Sequence, residues 1–68
     1  MDEALRSAMK ARLRELMTEH RDLDLAIHRI AADPVHDQLA LQRMKKRKLL
    51  LKDQIGHLER EIDPDIRA

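Results

Sequence analysis

His20 and Asp24 are spaced i, i+4, which on a helix turns an imidazole and a carboxylate toward the same face. Such a pair can ligate a metal, relay a proton or answer a neighbouring cation. A structural zinc ion ordinarily takes four ligands, and only these two converge. Asp53 belongs to another helix face, and Lys45 and Lys48 would repel a cation, so no metal or other cofactor is expected. Because histidine titrates near neutrality, His20 is also a candidate pH-sensitive group. Nucleophilic catalysis finds little support. The chain has no Cys and no Gly-rich loop, and its single Ser7 and single Thr18 stand without an arranged base. The protein is expected not to be an enzyme.

A second chemistry is suggested by Arg43, Lys45, Lys46, Arg47, Lys48 and Lys52, six cations within ten residues. Arg43, Lys45, Lys46 and Arg47 are candidate phosphate contacts, and a nucleic-acid-binding module is the alternative function. Helical geometry weakens it. At ~100° per residue, Lys45 and Lys52 share one flank, Arg43 and Arg47 the other, Lys46 the back and Lys48 the seam. Phe, Tyr and Trp are absent, which removes base stacking, and a net charge of +1 creates no overall attractive field.

The elements that must position these residues are two heptad patterns. Leu5, Met9, Leu13, Leu16, Leu23, Ile27 and Ile30 form the first, with His20 interrupting it. Leu41, Met44, Leu51, Ile55, Leu58 and Ile62 form the second, interrupted by Lys48. A composition that is 40% charged and 43% hydrophobic, with one Gly and two Pro, fits long paired helices. The expected fold is all-α: an antiparallel two-helix coiled-coil hairpin, able to pair into a four-helix bundle. It is read as one domain over 1–68, with helix one at about 2–31, a turn at about 32–34, helix two at about 35–62 and a short tail. Asp33-Pro34 supplies a helix start, a capping carboxylate followed by a favourable first-turn proline, and Asp63-Pro64 supplies the stop.

Antiparallel arms fix the neighbours. Facing residues whose numbers add to about 71 give apolar layers throughout, such as Leu16 with Ile55 and Ile27 with Met44. The same register expects the flank pairs Lys10 with Glu59, Asp24 with Lys45, Arg12 with Glu61 and Glu19 with Gln54. His20 and Lys48 fall in adjacent central layers. Together with Asp24 and Lys45 they form an expected polar node, in which the carboxylate neutralises the lysines and bonds the imidazole. His28, His36 and His57 are assigned to solvated surface.

Leu49 and Leu50 precede the seam residue Leu51 and must point away from the seam, as must Leu25 and Met17 on the first arm. A hairpin is too thin to cover side chains on every face, so Leu25, Leu49 and Leu50 are the candidate interaction surface. The expected partners are further copies of the chain or another helical protein, with nucleic acid as the lesser alternative. No apolar run approaches the ~18 residues of a membrane span, and no signal-peptide core follows Met1. The expected setting is cytoplasmic.

Two boxes carry a family resemblance. Glu19-His20-Arg21-Asp22-Leu23-Asp24 matches a Glu-His-x-x-Leu-Asp pattern. Met44-Lys45-Lys46-Arg47-Lys48-Leu49-Leu50-Leu51-Lys52-Asp53 matches a Met/Leu-Lys-Lys-x-Lys-Leu-x-Leu-Lys-Asp pattern. In order and separation they resemble the YdcH-like family of small bacterial proteins, a domain of unknown function, over roughly residues 12–62. Pro64-Asp65-Ile66 is similar to the ending of some members. The resemblance implies a bacterial, cytoplasmic helical hairpin and no particular activity. It places His20, Asp24, Lys48 and Lys52 within the family's boxes.

Overall fold

The computed structural model describes residues 2–63. Two helices, α1 (Glu3–Ala32) and α2 (Gln38–Ile62), form an antiparallel all-α hairpin of 50 × 23 × 16 Å. Asp2 caps α1 through a long side-chain contact to the Ala4 N–H at 3.4 Å, with Glu3 in the first turn suiting the helix dipole.

α2 starts three residues later than the sequence signals placed it. Its cap is Asp37, whose carboxylate accepts from the backbone N–H groups of Leu39 at 3.0 Å and Ala40 at 3.2 Å. Asp33 is occupied otherwise. It ends α1 with an extended backbone (φ −81°, ψ 123°), as a residue preceding proline must, and its N–H donates to the Ile30 carbonyl. Its side chain accepts the Val35 N–H at 3.0 Å, and its carbonyl accepts from His36 Nδ1 at 2.6 Å. Residues 33–37 are thus a self-bonded loop rather than a bare turn. α2 ends at Ile62 with the Asp63 N–H donating to the Glu59 carbonyl at 3.0 Å. Pro64-Asp65-Ile66, the ending read from the sequence, lies outside the described residues.

The core is a single seam. Leu16, Ile27, Leu41, Leu51 and Ile62 are buried, and Leu51 is wholly so. Met9, Leu13, Leu23, Ile30, Met44, Ile55 and Leu58 are half-buried. In the register read from the sequence, the five buried residues each face a half-buried partner: Ile55, Met44, Ile30, His20 and Met9. The surface agrees with that register, since Leu16 shares one cleft with Gln54 and Leu58, and Leu13 shares another with Glu59 and Ile62. Leu5, assigned to the seam by its spacing, is about half exposed, because no described residue of α2 reaches its level.

Candidate functional site

The polar node is present at mid-hairpin, with altered membership. Lys48 emerges from the seam of α2 and donates from Nζ to Asp24 Oδ1 on α1 at 2.8 Å. Both side chains are about a third exposed, so the lysine stem covers apolar surface while its ammonium reaches the flank. The hydrogen bond from Lys48 holds the Asp24 carboxyl below the ordinary aspartate range. Desolvation opposes that shift, and the charges of Lys48, His28 and His20 reinforce it.

Asp24 does not bond His20 in the way the sequence implied. The Nε2 atom of His20 is buried and has no hydrogen-bond partner. His28, one turn further along α1, takes the place beside Asp24. Its Nδ1 donates to the Asp24 carbonyl at 2.8 Å and lies 3.8 Å from Oδ1. His28 is exposed, as its surface assignment expected, and its i, i+4 spacing from Asp24 is the sequence signal for this contact. Lys45 is exposed and makes no ion pair among the described residues, because Lys48 reaches the carboxylate from within the seam.

The flanks differ from expectation in the same way. Glu19 pairs with Arg47 at 2.7 Å rather than with Gln54, a full charge outcompeting a neutral amide. Arg12 lies 3.7 Å from Glu15 within its own helix rather than on Glu61. Lys10 and Glu59 line one cleft, as their paired positions require. Arg47 and Lys48 are therefore engaged in holding the two helices together. Of the cluster's phosphate candidates, Arg43, Lys45 and Lys46 stay exposed on three different faces of α2.

The surplus apolar residues stand in solvent. Leu25, Leu49 and Leu50 are all more than half exposed, and Met17, Val35 and Leu39 are exposed as well. They do not form one patch: Leu25 occupies the back of α1, while Leu49 and Leu50 diverge to either side of the back of α2. Leu39, which sequence reading passed over, lies eleven residues before Leu50 and so shares its side of α2. Among the described residues no three His, Cys, Asp or Glu side chains gather as a metal site, and no helix is long and apolar enough to cross a membrane.

No curated protein and no solved structure matches the chain. A family model does match, over residues 13–59, and that span contains both boxes and the Asp24–Lys48 bond between them. The chain belongs to the family described as a protein of unknown function (DUF465), of which the YdcH-like proteins are part.

Proposed function

We propose that this protein is a non-catalytic helical hairpin that acts by self-association or by binding another protein through its helix surfaces. The observation that supports this most directly is the imbalance between core and surface. Among the described residues five side chains are buried, whereas seven large apolar ones (Leu5, Met17, Leu25, Val35, Leu39, Leu49 and Leu50) are exposed. Leu25, Leu49 and Leu50 serve as apolar anchors, and the charges around them select the partner. The reading includes a cytoplasmic setting in a bacterial cell, as the YdcH-like resemblance implies.

Size-exclusion chromatography with light scattering tests it. The wild-type chain is expected at dimer or tetramer mass, or captured by a helical partner. Leu50→Lys is expected to reduce that mass or abolish capture while far-UV circular dichroism stays helical. Unchanged assembly and partner binding in the variant would remove Leu50 as an anchor.

A further inference from the structure

Gly56 lies in the interior of α2, where glycine weakens a helix relative to alanine. Nothing inside the hairpin requires it. A Cβ added there meets no atom within 4 Å, and no described residue, Gly56 included, has a positive φ. The bare backbone instead floors a shallow hollow framed by Leu49, Lys52, Asp53 and Arg60. A glycine that no internal contact needs leaves room for close approach of a backbone or side chain from outside.

The surroundings of that hollow are chemically biased. On α1, Lys10, Arg14, Met17 and Arg21 recur at spacings of four, three and four, and so share one flank. On α2, Lys45, Leu49, Lys52 and Gly56 recur in the same rhythm. The Lys48–Asp24 bond brings the two flanks to the same side of the hairpin, because Asp24 continues the α1 stripe. Acids on this side are fewer. Asp24 is answered by Lys48, Glu59 and Asp63 line a cleft with Arg6, Lys10 and Arg14, and Glu3 and Asp53 are outnumbered by Arg21, Lys45, Lys52 and Arg60. The other flank of α1 leans the other way, with Glu15, Glu19 and Asp22 beside Arg12 and Arg29. Cations are thus in excess on this side of the hairpin and balanced on the other, where Arg43 and Arg47 of α2 face the acids of α1, and the basic side carries the exposed Met17 and Leu49.

We infer that this side docks an amphipathic helix from a partner protein, its apolar stripe seated on Met17, Leu49 and Gly56 and its flanking carboxylates facing the surrounding cations. The inference rests on the interaction reading above and names the chemistry of the partner. A third helix laid beside two is the ordinary way to complete a thin bundle, and it would also cover half-buried Leu13. A second copy fits less well, because its opposite side, which carries Leu39 and Leu50, balances Glu15, Glu19, Asp22 and Glu61 with Arg12, Arg29, Arg43 and Arg47 and so offers no acidic face. A polyanion would use the cations but would have no use for Met17, Leu49 or the bare Gly56.

The test is a titration of the full chain with a synthetic helical peptide of leucine-based heptads flanked by glutamates, followed by fluorescence anisotropy at physiological ionic strength. A lysine-flanked twin and a single-stranded oligonucleotide serve as comparison probes. The glutamate peptide is expected to bind more tightly than both. Reversal of Arg14, Arg21 and Lys52 to Glu should weaken it at least about tenfold, whereas Arg43→Glu with Lys46→Glu should leave it within about twofold. Gly56→Gln separates docking from folding, because it should raise the melting temperature yet weaken the peptide about tenfold. Equal binding of both peptides, tighter binding of the oligonucleotide, or indifference to Gly56→Gln would each overturn the proposal. Loss of peptide binding with assembly intact by light scattering removes this inference alone. A monomer that still binds the glutamate peptide removes the self-association reading and leaves this one standing.

Discussion

Lys48 shows how a charged side chain can occupy a seam position without stranding its charge. Its stem lies against the apolar seam and its ammonium meets Asp24 at 2.8 Å on the flank. Replacement by a residue of similar shape without the charge should therefore stabilise the helix pair while weakening its alignment. Lys48→Met is expected to raise the melting temperature by roughly 2–5 °C and to broaden the distribution of assembly states seen by light scattering. A strongly destabilised variant would show that Asp24 cannot tolerate solvent alone. Asp24 itself makes stability pH-dependent in a defined direction. Its carboxyl is held below the ordinary aspartate value, so its contribution is fully present above ~3.9 and is lost as pH falls through the lowered folded-state value. Wild type should thus melt above Asp24→Asn at neutral pH, and the two should converge in strong acid. Melting curves at stepped pH would reveal the convergence, and a constant gap would mean the Lys48 bond is not its source.

At the scale of the elements, the loop decides where α2 begins. Asp37 accepts two helix N–H groups, whereas Asp33 closes a local turn on Val35. Asp37→Ala should accordingly cost about 0.5–2 kcal/mol in urea unfolding, the usual range for a lost N-cap. Asp33→Ala should cost less than Asp37→Ala. The opposite ranking would mean that the Asp33–Val35 turn, and not the helix cap, controls the reversal of the chain. The interhelical ion pairs act on alignment. Arg47–Glu19 and Lys48–Asp24 lie on opposite flanks of the seam, so a slipped register would break both at once.

For the whole molecule, the governing fact is thinness. A seam of five buried side chains among the described residues leaves little reserve, and each full burial of Leu or Ile contributes roughly 1.5–3 kcal/mol. Leu51 is the most enclosed of them, facing His20 at mid-hairpin. Leu51→Ala should destabilise by about 2–5 kcal/mol, enough to unfold most of an isolated chain at 25 °C. Helicity that survives this substitution at high protein concentration but not at low would show that assembly supplies much of the stability. The same thinness leaves apolar side chains in solvent on both helices, which is why function is sought on the outer surfaces rather than in a cavity.

The heptad spacing determined two helices, their antiparallel packing and the apolar layers between them, because a seam period of seven admits few other solutions. It also located the polar node, since His20 and Lys48 are the positions where the pattern breaks. The tertiary structure decided what spacing cannot encode. Side-chain reach gave Asp24 to Lys48 and His28 instead of Lys45 and His20, and gave Glu19 to Arg47 instead of Gln54. Competition between Asp33 and Asp37, settled by which carboxylate could meet free helix N–H groups, moved the start of α2 from about residue 35 to Gln38. The basic side shared by Arg14, Arg21, Lys45 and Lys52 is likewise a property of the folded hairpin. Spacing puts Lys45 and Lys52 on one flank of α2, and the crossing bond between Asp24 and Lys48 holds that flank beside Arg14 and Arg21.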